Sequence, residues 1–569
     1  MNRLAVVVSV VALALLSILP ISRTLVEAFR AHPADGSPAT LSLEPLREAL
    51  VTGPRQPPGE EVSASVTPAT RPVSARWRLL GNSVIIAGLA ALLALALGVP
   101  YALLVARTDV PGRGVLGAVY AAPLVLPPLL VSVAWMFIPG FEPAAKTQAD
   151  EPSAWGGVTA ALRAAALFGL CYFPLVVLFA RRAFARVPAS LEEAARLAGG
   201  PWLAMRRVTL PLAAPGVLAG GLFVFLFALN DFSLVDYLNW VRPLSDQISV
   251  YPMEAFTAWQ RTQGESVATA LGIPLALLGV GLLWWLQRIV GRDARASVGG
   301  AFREPAPWRL GRWRVPALVF AGILVLLAAA VPVAGLLVKA GGIANYRRIW
   351  QDYVGPSGSS KEVLWTLWFA LGAAVLALPL AFALGHHAAR TRRLTWLALA
   401  ILPLALPPIF LGVGYLKILN EPVFTIDGRN PFLAPDGPRL GSTMLLVAKY
   451  APFAIVAMWA AFLEIDPAME EAAACAGVRP LDRALGILVP LAKPALVVSF
   501  VLVFVLSLRE IDSIVLLTSD TMMRRIWSMV HYQRDSGVAA LGVMLVALEA
   551  LPFAVIALLA PSRRTAGTS

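Results

Sequence analysis

Stretches of 18 or more apolar residues recur along the whole of this 569-residue chain. Each is long enough to cross a hydrocarbon layer of about 30 Å at about 1.5 Å per helical residue. Runs such as Leu89 to Leu97 and Ile323 to Val331 are apolar on every face, whereas barrel strands would alternate over about ten residues. The chain is therefore read as membrane-spanning helices. A mean hydropathy of +0.72, with 58% hydrophobic and 14% charged residues, excludes a water-soluble domain. The formal charge of +13 sits largely on arginines clustered in short loops between the spans. It reports orientation rather than a nucleic-acid partner. Two cysteines, Cys171 and Cys475, are too far apart in sequence to form a CxxC or zinc spacing.

About twelve spans are expected, at 4–23, 80–106, 115–138, 158–183, 209–237, 267–290, 315–338, 362–387, 395–419, 443–464, 488–517 and 538–561. The apolar run behind Met1-Asn2-Arg3 reads as an uncleaved first span, because a matching run from Val315 to Val338 stands where no signal peptide could. A long loop at 24–78, rich in Pro, Ser, Thr and Gly over 52–75, reads as flexible and extramembrane. The arginines then place both termini in the cytoplasm: Arg107 and Arg113, Arg181 to Arg207, the run from Arg288 to Arg314, Arg390 to Arg393, and Arg563 with Arg564.

A repeat with a period near 279 residues divides the chain. Val99-Pro100-Tyr101-Ala102 answers Leu378-Pro379-Leu380-Ala381, Leu126-Pro127-Pro128 answers Leu406-Pro407-Pro408, and Tyr172-Phe173-Pro174 answers Tyr450-Ala451-Pro452. The expected organisation is a six-helix unit at 1–295, a basic cytoplasmic linker at 296–314 and a second six-helix unit at 315–569. Halves with an even number of spans keep the same polarity and pack about a pseudo-two-fold axis along the membrane normal, with a pathway between them.

The best-matching repeated segment is Glu192-Glu193-Ala194-Ala195-Arg196-Leu197-Ala198-Gly199, echoed by Glu470-Glu471-Ala472-Ala473-Ala474-Cys475-Ala476-Gly477. A proline follows each glycine after a dozen residues or so, Pro211 and Pro490, and the next span starts nearby. This reads as a short helix, a turn and a second helix feeding a span. Ser190 with Glu193 forms a candidate capping box, Asp466 a candidate cap with Pro467 at the first helical position, and Gly199 and Gly477 candidate left-handed stops. Alanines keep such a helix thin, so that a partner's groove can approach it closely. The pattern resembles the EAA loop of ABC importer permeases, and the resemblance covers nearly the whole chain. It implies two copies of a separate ATPase subunit on the cytoplasmic face, contacted by Glu192, Glu193, Ala194, Gly199, Glu470, Glu471, Ala472 and Gly477. It also implies a periplasmic or lipid-anchored substrate-binding protein outside and residence in the bacterial inner membrane. Fusion of two units, the extended first loop and Asn230-Asp231-Phe232-Ser233-Leu234-Val235-Asp236-Tyr237 look most like the ferric-iron and thiamine branch.

No Walker A signature occurs. Lys146-Thr147 lacks the required glycine, so ATP and Mg are expected on the partner and no cofactor in this chain. After each repeated loop, polar residues fall deep in an apolar span: Asn230, Asp231 and Asp236, then Arg509, Glu510 and Asp512. Ionisable groups there are costly and by default face a cavity or partner. They are the pathway candidates, with a polar cluster joining the halves as the alternative. Glu549 and Lys449 read as structural, and His386-His387 as a solvated interface rather than a metal site. A major-facilitator secondary transporter would share twelve spans but leaves the duplicated loops unexplained, and a membrane-embedded enzyme lacks a catalytic constellation among four histidines and scattered carboxylates.

Overall fold

The computed structural model describes residues 3–31, 39–52, 73–138, 156–240, 247–260, 264–293, 307–351, 362–391, 394–421, 440–518, 520–532 and 535–559. Most of the Pro/Ser/Thr-rich segment lies outside the described residues, as do Lys146, Thr147, Arg295, Arg303, Arg392, Arg393, Arg563 and Arg564. Among the described residues the fold is all-α, apart from one short antiparallel pairing of Arg30–Ala31 with Thr40–Leu41. A helix satisfies its own backbone groups where lipid offers none.

In the first half the elements are α1 (Val6–Glu27), α2 (Val73–Arg107), α3 (Arg113–Val119), α4 (Pro128–Met136), α5 (Gly156–Ala185), α6 (Ala189–Ala204), α7 (Leu210–Asn230), α8 (Ser233–Trp240), α9 (Tyr251–Trp259) and α10 (Glu265–Asp293). The second half repeats them as α11 (Gly311–Ala340), α12 (Glu362–Thr391), α13 (Leu394–Ala405), α14 (Pro408–Leu419), α15 (Leu440–Glu464), α16 (Pro467–Cys475), α17 (Val489–Leu508), α18 (Met522–His531) and α19 (Asp535–Leu559). The element corresponding to α8 is a single 3₁₀ turn, Ile514–Leu516.

Ten helices among the described residues are long and apolar enough to cross a membrane, or eleven if one bent pair counts as a span. The two expected spans at 115–138 and 395–419 are both broken, and the proline pairs explain why. Pro128 and Pro408 lack an N–H and force the residue before them out of the helical region. Pro127 accordingly sits at φ −58°, ψ 140° and Pro407 at φ −56°, ψ 142°. The first break turns the chain by 88°. The expected spans at 209–237 and 488–517 also end early, at Asn230 and Leu508, where the chain turns at the buried polar residues.

Within each half the same packing recurs. α2 lies along α5, which lies along α7, and α12, α15 and α17 repeat the arrangement. The first span of each half, however, also reaches into the other half. α1 packs on α14 of the second half, where the Thr24 hydroxyl donates to the Phe410 carbonyl at 2.5 Å and the Tyr415 hydroxyl to the Leu16 carbonyl at 2.6 Å. Arg23 pairs with Glu421, and Lys417 with Glu27 at 3.4 Å. Conversely, α11 packs on α4 of the first half, where Gly335 faces the Ala134 carbonyl. The covalent units are thus interlocked. Close approach of α1 depends on Gly414, since a Cβ there would lie 2.3 Å from the Pro20 carbonyl oxygen. Gly414→Val is expected to destabilise the fold by about 1–3 kcal/mol, the usual cost of overpacking. A lower thermal unfolding midpoint of the full chain in lipid nanodiscs checks this, and an unchanged midpoint contradicts the interlock.

Candidate functional site

A cavity lies between the halves, bordered by the two proline breaks, by Tyr172 and Tyr450, and by Asn230, Asp231, Lys449, Arg509, Glu510 and Asp512. Its polar wall is built twice. In the first half Asp231, just past the end of α7, accepts from the Ser233 hydroxyl at 3.0 Å, the Leu234 N–H at 3.2 Å and the Tyr172 hydroxyl at 3.4 Å. In the second, Glu510 accepts from the Ser513 hydroxyl at 2.6 Å, the Ser513 N–H at 2.8 Å and the Tyr450 hydroxyl, and pairs with Lys449 at 2.6 Å. A carboxylate this deep is tolerated because donors saturate it. Each also caps the turn that ends its span. Phe227, which borders the cavity, stacks on both Tyr172 and Phe453, with centroids 5.4 and 5.7 Å away.

The short helices α9 and α18 are held in matching ways. The Tyr251 N–H donates to the Ser83 hydroxyl at 2.8 Å, and the Met522 N–H to the Thr366 hydroxyl at 2.9 Å. Ion pairs then fix each helix to its own half with the charges exchanged: Arg76 of α2 meets Glu254 of α9 at 3.4 Å, and Glu362 of α12 meets Arg525 of α18 at 2.5 Å. Asp236 of α8 crosses between halves. It accepts from the Trp527 indole at 2.9 Å and lies 3.2 Å from His531 Nε2. Of the six pathway candidates, five border the cavity and Asp236 does not.

The repeated loops form the expected helix-turn-helix elements, and the two glutamates of each divide their work. Glu192 is buried, paired with Arg107 at the end of α2 and with Arg196 at 2.5 Å. Glu470 likewise faces the end of α12, with His386 Nε2 at 2.8 Å and Arg390 Nε at 2.7 Å. Burial would raise the Glu470 carboxyl, but the His386 hydrogen bond and the Arg390 charge hold it below its ordinary range. Glu193 and Glu471 are exposed, together with Ala194, Ala472, Gly199 and Gly477. Glu192 also accepts from the Trp308 indole at 2.5 Å. The segment ahead of α11 thereby docks on α6, and Asp109 accepts there from the Leu310 N–H at 2.9 Å and pairs with Arg314.

Local expectations at these loops require correction. Gly477 has the left-handed φ of 76°, but in the first copy that role falls to Gly200, at φ 83° and ψ 179°, while Gly199 is extended at φ −172°. Pro201 is the cause, because its ring pushes the preceding residue to an extended ψ. Asp466 caps as expected, accepting from the Ala468 N–H at 2.9 Å, and Pro467 opens the helix. α6 instead starts at Ala189 behind Pro188 without a side-chain cap, so Ser190 is no N-cap. His386 is buried against Glu470, not solvated. Sequence reasoning also missed Arg107, Arg390, Trp308, Tyr172 and Tyr450. The signals available were in the repeat: Arg107 and His386 occupy equivalent places, and Tyr172 answers Tyr450.

Residues 80–295 match the family described as the binding-protein-dependent transport system inner membrane component. The molybdenum transport system permease protein ModB of Escherichia coli is 32% identical over 220 residues, covering 94% of that protein and 37% of this chain. The chain belongs to this family. It is an ABC importer permease, a multi-pass component of the inner membrane, and a transport protein rather than an enzyme. The permease also resembles a probable molybdenum ABC transporter permease of Haloferax volcanii, 33% identical over 207 residues, 69% of that protein and 35% of this chain. A probable ABC transporter permease, y4fN of Sinorhizobium fredii, is 26% identical over 430 residues, 69% of it and 68% of this chain. ABC importer permeases work with ATPase and substrate-binding partners.

The clamp between α8 and α18 of this permease should respond to pH. Burial lowers the basicity of His531, but Asp236 on Nε2 and the Trp527 carbonyl on Nδ1 at 2.8 Å outweigh it and raise the pKa above 6.5. A raised folded-state pKa contributes stability fully at pH below the unfolded value, and that contribution is lost as pH rises through the folded value. The full chain is expected to unfold at a higher temperature at pH 6 than at pH 8.5, with the difference shrinking in Asp236→Asn. An equal difference in that variant would contradict the clamp.

Proposed function

We propose that this chain forms both halves of the translocation pathway of an ATP-driven importer, and that α6 and α16 are the seats of two separate ATPase subunits. ATP and Mg belong to those subunits, and no cofactor is assigned to the chain itself. A periplasmic or lipid-anchored binding protein delivers substrate at the face of α9 and α18, lipid surrounds the spans, and both termini lie in the cytoplasm. Fusion of the units 1–295 and 315–569 is supported by the 430-residue match to y4fN, which is too long to lie within either unit.

The observation that carries this reading is the division of labour in each glutamate pair. One carboxylate faces inward against the foot of α2 or α12, Glu192 buried and Glu470 part-buried, and its neighbour is exposed beside small alanines. An exposed alanine face suits close docking, and an inward-facing, multiply bonded carboxylate suits transmission. Pulling α6 and α16 together would therefore move the helices that carry the cavity walls. A secondary transporter or an enzyme gives no reason for such a pair.

The substrate is proposed to be an oxyanion of the molybdate type, on the strength of relatives named for molybdenum transport. The ferric-iron or thiamine expectation finds no support among them. Ala194→Arg together with Ala472→Arg places bulk and charge on the exposed faces without touching the buried anchors. The double variant is expected to insert and unfold normally, to lose co-purification with the ATPase subunit, and to lose at least tenfold in ATP-driven uptake in proteoliposomes. Unchanged uptake would refute the docking assignment.

A further inference from the structure

We infer that Arg509 is the anion-contacting residue of the central cavity, which holds a small tetrahedral oxyanion in transit. The inference rests on the oxyanion reading proposed above and assigns it a site. Arg509 follows the last residue of α17 and is 8% exposed, yet it borders the cavity. Its Nη1 donates to the Leu124 carbonyl of the other half at 2.8 Å, and its guanidinium lies 5.7 Å from the centre of the Tyr172 ring. Among the described residues no carboxylate comes within ion-pair distance of it.

The acidic neighbours do not cancel this charge. Asp231 is saturated by Tyr172, Ser233 and Leu234, and Glu510 by Tyr450, Ser513 and the ammonium of Lys449. What remains is Arg509 with two carboxylates that have buried, unpartnered oxygens, Asp512 at Oδ1 and Glu549 at both, neither within ion-pair distance of the guanidinium. The duplicated scaffold sharpens the point. Asn230 holds the equivalent place before Asp231 in the first half, and it is neutral, so the positive charge is one-sided. A buried guanidinium is normally kept by a carboxylate or phosphate that fills its planar fork. Here the guanidinium borders the cavity instead. An arriving oxyanion would complete the fork, with Asp512 opposing it and keeping its stay short enough for release.

The test uses the full chain assembled with its ATPase subunit and binding protein in proteoliposomes, with radiolabelled molybdate as probe and sulfate as competitor. Arg509→Gln is expected to lower molybdate uptake at least tenfold while the complex assembles in wild-type amount, and Arg509→Lys to recover a substantial part. Asp512→Asn should act in the opposite direction, strengthening retention of molybdate by the full chain in nanodiscs two- to tenfold. Wild-type uptake in Arg509→Gln overturns the inference while leaving the function standing. Equal losses in Arg509→Gln and Asp512→Asn also overturn it, since they mark a structural pair. A wild-type complex that carries ferric iron or thiamine but no oxyanion overturns both the inference and the substrate reading.

Discussion

An inward-facing carboxylate at the foot of each half, buried in the first and part-buried in the second, ties the repeated helix-turn-helix element to the helices that carry the cavity wall. Glu192 and Glu470 each sit against the end of the long helix that follows the first span, held by Arg107 in one half and by His386 with Arg390 in the other. Magnitudes decide why these matter more than their neighbours. An exposed charge such as Glu193 or Glu471 contributes at most about 1 kcal/mol through surface pairing. Removing one partner of a buried pair costs about 3–5 kcal/mol. The fully buried Glu192–Arg107 pair takes that cost in full and the part-buried Glu470 contacts a smaller share, so both are stiffer than the exposed glutamates.

Duplication supplies the frame, and departures from it supply direction. The tyrosine–carboxylate–serine clusters, the proline breaks and the hydroxyl-anchored short helices recur in both halves. The exchanged ion pairs Arg76–Glu254 and Glu362–Arg525 show that the geometry is kept even where the signs are reversed. Against that background Arg509 opposite Asn230, and Trp308 inserted against α6 alone, stand out as features of one half. Interlocking of α1 and α11 with the opposite halves means that the halves cannot separate freely. A change at the cavity is then a rearrangement within one packed body rather than the parting of two.

Much of this was legible in the chain. Most spans followed from length and hydropathy, and the paired helix-turn-helix segments from their repetition. Asp231 and Glu510 were visible because a charge inside an apolar run needs an explanation. What escaped had physical causes. Asp236 was placed beside them by counting along an uninterrupted helix, but α7 stops at Asn230 and the chain turns, which carries Asp236 to the far clamp. Arg107 and Arg390 looked like ordinary interfacial arginines, because what distinguishes them is a partner some 80 residues away in sequence. The left-handed glycine of the first loop moved by one residue because Pro201 constrains its neighbour, an effect that a repeat alignment does not carry.

Transmission from α6 and α16 to the cavity is the centre of the account, and the native cysteines allow it to be measured directly. Cys475 is exposed at the end of α16 and Cys171 is fully buried, so a spin label attaches selectively to the first. Adding Ala198→Cys, exposed just before the Gly199 break in α6, gives a labelled pair across the two elements. Pulsed electron–electron resonance on the assembled importer should show the distance between them shorten when ATP binds and return after hydrolysis. A distance that stays constant while substrate is being transported would contradict the account.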